Sequence, residues 1–430
     1  MTDDVIGTRN RVLVDADLDR VDAALRDTDA LLRTAYPGDD GSRQPVHTVY
    51  VPADRYTATL PAQWGAAACT AVEDAGGLAA LAERVGLSTD LAEALTPRVR
   101  MKLEREPIED LRLDFEDGYG DRGDAVEDAD AAQAAHSVAE ALGTGAAPPF
   151  VGIRIKSMEE STRARGLRTL DVFIGTLIDS GELPDGLLLT LPKVSTVAQV
   201  EAMVDVCGVL ERAHGLDHGR LRFEVQVETP PLVLGADGRS PLAQLPMAGA
   251  GRITSLHYGT YDYSAALGIG PDQQSLEHPA ADLAKGLMQL AVAGTGIRLS
   301  DGSTNILPLG EHAAEAWALH ARLVRRSLER GLYQGWDLHP LQLPTRYLAT
   351  YAFYRDGYGA ASHRLRAYIE HRPGAVLDEP ATARALAWFV LRGVHCGAID
   401  ADEVAADVGI GLDALHALAH PRSRPPEETT

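Results

Sequence analysis

Eight short segments, in which apolar residues either alternate with polar ones or run together, recur along the chain and predict β-strands. They lie at 47–53, 111–117, 150–156, 186–194, 222–229, 253–259, 296–302 and 332–340. The segments between them repeat apolar residues at helical spacing, as at 196–215 and 313–331. Strands that alternate with helices pair in parallel through right-handed crossovers. Eight such units predict an α/β fold, a closed (β/α)8 TIM barrel, with an open doubly wound sheet as the alternative.

Helical patterns without strands flank this series at both ends. Residues 14–35 have helical spacing and stop at Pro37-Gly38, and after residue 345 only helical patterns follow, at 346–371 and 380–396. The pattern predicts four parts: an N-terminal helical segment (1–45), the barrel (46–345), a C-terminal helical extension (346–420) and a polar, proline-rich, disordered tail (421–430).

Three of the predicted strands carry polar side chains at every second position. In 111–117, 150–156 and 222–229 the positions between the apolar residues are Arg112, Asp114, Glu116, Arg154, Lys156, Glu224, Gln226 and Glu228. In a barrel one strand face meets the helices and the other meets the lumen. Polar groups that converge in a lumen must satisfy one another or hold a ligand. Strands with one face in solvent would give the same alternation.

Composition and charge limit the classes of molecule that the chain is expected to bind. The chain of 430 residues has a formal net charge of −22, which opposes non-specific binding to nucleic acid or anionic membranes. It contains no apolar run of about 18–20 residues and no signal-peptide pattern, so no membrane partner is expected. Its three cysteines are far apart and lack metal-site spacing, which favours free thiols in a reducing cytoplasm.

Two carboxylates stand where neighbouring predicted strands end. Glu228 ends the fifth strand and Asp262 follows the sixth, on the face of a barrel that carries active sites. Such a pair is a minimal site for Mg²⁺ or Mn²⁺, with waters and substrate oxygens as the remaining ligands. Arg154, at the end of the third strand, would place a fixed positive charge on a developing enolate oxygen. This combination suits making or breaking a carbon–carbon bond next to a carbonyl.

Six short motifs occur in a characteristic order along the barrel segment: HTVYVPADR, LRLDFEDGYG, LPKV, VETP, LHYGTYDYSAALGI and GWDLHPLQL. In this order they resemble the HpcH/HpaI aldolase and citrate lyase β-subunit family, and DFED also looks like malate synthase of the same superfamily. The resemblance covers roughly residues 46–345. It implies a TIM barrel with Mg²⁺-dependent lyase or condensation chemistry on oxo acids, often acyl-CoA thioesters. It also implies a homo-oligomer, a trimer or a hexamer.

The resemblance assigns roles to individual residues. It implies that Glu228 and Asp262 bind the metal and that Arg154 acts on the substrate. It places Asp114 and Glu116 close to the metal's waters, where they are expected to be catalytic or supporting groups. Two further residues are candidates because they lie at the end of the sixth predicted strand. Gly259 and Thr260 are expected to offer backbone N–H groups to a substrate carboxylate.

Simpler interpretations of the same residues remain open. Glu228 would also suit an ion pair with a lumen arginine, and Asp262 would suit a cap of a helix that starts at Tyr263. Lys193 of LPKV is placed for a Schiff base, but the motif recurs in this metal-dependent family without imine chemistry.

The leading hypothesis is a Mg²⁺-dependent carbon–carbon lyase or aldolase that acts on a 2-oxo acid, a hydroxy acid or an acyl-CoA thioester. The alternatives are phosphoryl chemistry of the phosphoenolpyruvate type and a non-catalytic subunit that binds oxo acids.

Overall fold

Eight parallel strands form one sheet in the computed structural model, which describes residues 12–181, 183–371 and 379–421. Each predicted strand is present but shorter than its pattern: β1 (His47–Pro52), β2 (Asp110–Asp114), β3 (Phe150–Arg154), β4 (Leu187–Leu191), β5 (Phe223–Val227), β6 (Ile253–Tyr258), β7 (Arg298–Ser300) and β8 (Gly335–Asp337). The order is β7-β6-β5-β4-β3-β2-β1-β8, and a parallel bridge between Ser300 and Gln334 joins the two edges. The sheet therefore closes, which confirms the (β/α)8 barrel and excludes the doubly wound alternative.

The helices, both those between the strands and those at the two ends of the chain, lie outside the barrel. They are α1 (Asp15–Ala35), α2 (Leu60–Asp74), α3 (Leu78–Arg84), α4 (Thr89–Arg105), α5 (Asp124–Thr144), α6 (Arg163–Ser180), α7 (Val197–His214), α8 (Pro230–Val233), α9 (Leu245–Ala248), α10 (Thr260–Ala266), α11 (Pro279–Val292), α12 (Ala313–Glu329), α13 (Leu343–Ile369), α14 (Pro380–His395), α15 (Ala401–Val408) and α16 (Leu412–Ala419). None of the described helices is long and apolar enough to cross a membrane.

The two ends of the chain differ in how they pack. Helix α1 starts at Asp15, one residue after the predicted start, and none of its residues is buried. Helix α13 begins at Leu343, packs on α4, α12 and α14, and buries most of its first three turns. The division into four parts stays a prediction, and the expected disordered tail lies, apart from Pro421, outside the described residues.

The lumen contains a buried ionic network below the carboxyl ends of the strands. Arg112 donates to Glu224 at 2.7 Å and to Asp110 at 2.5 Å, and all three side chains are fully buried. Glu224 also accepts a hydrogen bond from the hydroxyl of Tyr50 and lies 3.1 Å from His257. The polar residues of the alternating strands therefore satisfy one another here, as expected inside a barrel.

One lumen assignment is wrong. Strand β3 ends at Arg154, and Lys156 beyond it turns outward to donate to Glu127 of α5 at 2.7 Å. Within β3, Gly152 allows β4 to approach closely, because a Cβ at this position would collide with the carbonyl oxygen of Leu188.

Candidate active site

A cavity of about 280 Å³ opens at the carboxyl ends of the barrel strands. Its lining comes from all strand ends except that of β4: Tyr50, Pro52, Asp114, Asp117, Gly118, Arg154, Glu228, Gly259, Thr260, Tyr261, Asp262, Ser303, Trp336 and Leu338. Six of the seven residues selected from the sequence are among them. The seventh, Glu116, contacts the site through Arg154 and Lys193.

Arg154 is held by two parallel hydrogen bonds to one carboxylate. Its Nε and Nη2 each donate to Asp114 at 2.7 Å, and Nη1 lies 3.3 Å from Glu116. Asp114 is itself fixed, because it accepts the N–H groups of Glu116 at 3.0 Å and Gly118 at 2.8 Å. Burial lowers the pKa of Arg154, but Asp114 outweighs it and raises the pKa well above its ordinary value. The guanidinium is a permanent, oriented charge.

Glu228 is a buried carboxylate with its position set by two neighbours. It is 2% exposed, and its Oε1 accepts the backbone N–H of Lys193 at 2.7 Å. A Cβ on Gly259 would lie 2.5 Å from its Oε2, so only glycine leaves room for it. Burial, together with the negative charges of Asp262 and Glu116, raises the pKa of Glu228 to about 8 against the opposing effect of nearby Arg154.

Asp262 faces the same cavity from the first turn of α10. The helix starts at Thr260 with Gly259 as its N-cap, so the expectation that Asp262 caps a helix is wrong. Its side chain is 46% exposed, and its nearest ionic partner in the described part of the chain is Lys193, at 4.0 Å. Burial and the charge of Asp117 raise the pKa of Asp262. Glu228 and Asp262 thus face one cavity, with the ammonium of Lys193 as the cation nearest to Asp262.

The amide of Gly259 does not have the role expected for it. It donates to the carbonyl of Val227 at 3.0 Å as part of the β5–β6 pairing, and is therefore not free for a substrate carboxylate. The amide of Thr260 opens α10, and the first N–H groups of a helix have no partner within it. The side chain of Thr260 donates to the carbonyl of Ser303 at 3.1 Å, which anchors this turn.

Lys193 links the carboxylates of the site. Its backbone φ of +50° is a left-handed conformation that side chains rarely adopt, and it directs the N–H at Glu228. Its ammonium contacts Glu116, donates to Asp117 at 2.7 Å and lies 4.0 Å from Asp262. Burial lowers the pKa of Lys193, but the bonds to Asp117 and Glu116 outweigh it and raise the pKa well above its ordinary value. A charged, paired amine is unsuited to imine formation.

The donor set fits a hard divalent cation held by two carboxylates. Within the described ranges, no group of three or more His, Cys, Asp or Glu side chains is arranged to hold a metal ion. Mg²⁺ is commonly bound by one or two carboxylates, with waters and substrate supplying the other oxygens. Glu228 and Asp262 provide that number, and the burial that raises the pKa of Glu228 disfavours its charged form, a cost that a bound cation would offset.

Sequence reasoning considered Lys193 only for imine chemistry, and it missed Tyr50 and Trp336, at or below the cavity. Lys193 stands at the end of β4, where its position alone made it a candidate, but its backbone grip on Glu228 depends on a rare φ. Tyr50 places its ring 4.9 Å from the guanidinium carbon of Arg154, and Trp336 donates to His257 at 3.1 Å. Alternation along HTVYVP, with Val49 and Val51 facing the helices, would have placed Tyr50 in the lumen.

Comparison with solved structures returns the fold predicted from the motifs. A citrate lyase from Burkholderia xenovorans LB400 has 20% identity and a TM-score of 0.57, with 85% of this chain and 96% of that chain covered. CitE from Mycobacterium tuberculosis in complex with magnesium, acetoacetate and coenzyme A has 17% identity and a TM-score of 0.48, with 83% and 99% covered. A Haloferax volcanii malate synthase has 15% identity and a TM-score of 0.48, with 88% of each chain covered.

The similarity to the Burkholderia xenovorans structure confirms the TIM-barrel fold. No curated protein matches the chain in sequence. A family model does match, over residues 25–423, which spans the barrel and the C-terminal helices. The chain therefore belongs to the family described as "Domain of unknown function (DUF6986)".

Proposed function

We propose that the protein is a Mg²⁺- or Mn²⁺-dependent carbon–carbon lyase of the aldolase or citrate lyase type. Its substrate would be a 2-oxo acid, a hydroxy acid or an acyl-CoA thioester. The observation that carries the proposal is that Arg154, Glu228 and Asp262 line one cavity at the carboxyl ends of the barrel strands. Active sites of TIM barrels lie at this face.

Cleavage next to a carbonyl places negative charge on that carbonyl's oxygen in the transition state. Glu228 and Asp262 would hold a divalent cation, which would supply Lewis-acid stabilisation of this charge when bound. Arg154 would donate to the same oxygen through its Nη1, because its Nε and Nη2 are already bonded to Asp114. A preorganised donor of this kind contributes on the order of 10²–10³-fold to rate.

Other groups would position the substrate and the ligands. The Thr260 amide at the start of α10 is available for a substrate carboxylate. Glu116 would steady both Arg154 and Lys193, each of which it contacts. Lys193 would in turn keep Glu228 turned toward the cavity through its backbone N–H.

The assembly state and location belong to the same proposal. Helix α1 exposes apolar residues at heptad-like spacing, with Leu18 42%, Val21 53% and Leu25 47% exposed, and these would be covered in a homo-oligomer, a trimer or a hexamer. Light scattering on the purified protein distinguishes these states from a monomer. Three free cysteines, two of them buried, favour a cytoplasmic location.

The test is release of pyruvate or a related oxo acid from 4-hydroxy-2-oxo acids and from malyl- or citramalyl-type thioesters, with Mg²⁺ and with EDTA. Activity that needs the metal and is lost in Glu228→Gln supports the proposal. Glu329→Gln, at an exposed position of α12, serves as the matched control. Full activity in EDTA or in Glu228→Gln would refute the mechanism.

A further inference from the structure

A second cavity, of about 430 Å³, lies at the opposite end of the molecule from the candidate active site. It is bounded by the segments that lead into β7 and β8, by residues 37–44 before β1, and by α14 and the end of α16. Its volume falls in the range of roughly 300–1,000 Å³ that is typical of pockets for small organic ligands. We refer to it as the amino-end cavity.

The side chain that defines this cavity is Arg392. Its guanidinium carbon lies 4.2 Å from the ring centre of Tyr333 and 4.5 Å from that of Trp388. Its Nη1 donates to Gln44 at 2.6 Å, whereas its buried Nε has no hydrogen-bond partner among the residues that the structure describes. The only carboxylate within 4.0 Å in the described ranges is that of Asp39, at 3.8 Å.

Other buried arginines of this chain differ from Arg392 because each has a close carboxylate partner. Each of four lies 2.5–2.8 Å from a carboxylate oxygen: Arg112, Arg154, Arg252 and Arg346. Arg392 is only 12% exposed and lacks such a partner. Burial accordingly lowers its pKa, which Tyr354, Tyr333 and Asp39 offset only in part. A buried charge without close compensation is costly, and a bound anion would remove that cost.

A second arginine extends the positive charge to the rim. Arg384, Trp388 and Arg392 are spaced four residues apart, so they share one face of α14, and all three line the cavity. Arg384 is exposed and makes no hydrogen bond or ion pair with any residue that the structure describes. A third lining arginine, Arg298, is already paired with Asp40 at 3.2 Å.

The walls between these charges are flat or apolar. Trp388 lies between the two arginines along α14. Val292, Ile297 and Leu299 line the cavity on the barrel side. Guanidinium groups recognise carboxylates and phosphates, and aromatic faces stack on planar groups.

We propose that the amino-end cavity is a binding site for an organic anion, with a carboxylate or phosphate on Arg392 and Arg384 and a flat body against Trp388. This site is independent of the proposed lyase chemistry, and its occupancy is measured without turnover.

Three probes separate the parts of the proposal: inorganic phosphate, benzoate and adenosine monophosphate, titrated against tryptophan fluorescence. Benzoate or adenosine monophosphate is expected to change the fluorescence below about 10 mM, more tightly than inorganic phosphate. Trp388→Phe is expected to abolish the signal, because the other three tryptophans lie outside the cavity lining.

Variants test the charges. Arg384→Gln, at an exposed position that is not needed for folding, should weaken binding by about tenfold, and Arg392→Gln by more. Arg239→Gln, an 82% exposed arginine elsewhere, should leave binding unchanged. Thermal shift with the same probes gives a second readout, in which Arg392→Gln should lose the stabilisation that the ligand gives wild type. The site assignment is overturned if neither organic probe binds, or if both bind Arg384→Gln and Arg392→Gln as tightly as wild type.

Discussion

Replacing Gly259 with alanine tests how the protein holds its buried carboxylate. The backbone of Gly259 has φ −96° and ψ 102°, an ordinary extended conformation that alanine adopts without strain. The added Cβ would lie 2.4 Å from Cβ and 2.5 Å from Oε2 of Glu228, whereas ordinary contact begins at 3.4 Å. The whole Glu228 side chain, with its Cβ, must therefore shift by about 1 Å, and a misplacement of that size costs on the order of 10²-fold at a precisely assembled site.

The assay needs no substrate. Metal-free Gly259→Ala and wild type are titrated with Mn²⁺ by calorimetry, and their thermal unfolding is compared. We expect Mn²⁺ affinity to fall by at least tenfold and the free energy of unfolding to fall by about 1–3 kcal/mol, as for other overpacked buried sites.

A second glycine provides the control. Gly286 lies within α11, where an added Cβ meets no atom within 4 Å, so Gly286→Ala should keep Mn²⁺ binding and gain up to about 1 kcal/mol of stability. If Gly259→Ala binds Mn²⁺ as wild type does and unfolds at the same temperature, then Glu228 does not occupy the position described.

Three further predictions address charge. Lys193→Met removes the cation between the carboxylates, so Mn²⁺ affinity should rise several-fold, with Lys156→Met as the unchanged control. Arg154→Lys keeps the charge but loses the paired bonds to Asp114, so oxo-acid release should fall by about 10²-fold while Mn²⁺ affinity stays within about threefold. Burial raises the pKa of Glu211, but hydrogen bonds from Arg252 outweigh it and lower the pKa to about 2. The ionised Glu211 therefore stabilises the folded protein above the unfolded pKa of about 4.5, and this contribution is lost as pH falls toward 2. In denaturant unfolding, Glu211→Gln should be about 3 kcal/mol less stable than wild type at pH 7. The two proteins should not differ near pH 2.

The count of eight βα units and the alternation of side chains predicted the barrel and most of its lumen-facing charges, with an open doubly wound sheet left as the alternative. Arg112, Glu224 and Glu228 share a face of their strands because side chains alternate with period two, whatever the surroundings. Closure of the sheet followed from the count of eight βα units. The convergence of Arg154, Glu228 and Asp262 on one cavity followed from their places at strand ends.

Other features depend on geometry that a one-dimensional pattern does not contain. The register in which β5 pairs with β6 shifts between Phe223 and Glu224. In the shifted register the amide of Gly259 donates to the carbonyl of Val227. The hydrogen bond from the backbone N–H of Lys193 to Glu228 requires a positive φ at a residue other than glycine. The outward turn of Lys156 depends on where β3 stops.

The central claim is that Glu228 and Asp262 hold one divalent cation together. Calorimetric titration of metal-free protein with Mn²⁺, in wild type, Glu228→Gln and Asp262→Asn, tests it directly. We expect one site per chain in wild type, and an affinity at least tenfold lower in each variant, because each removes one of the two carboxylates proposed to hold the cation. Equal Mn²⁺ affinity in wild type and in both variants would contradict the claim.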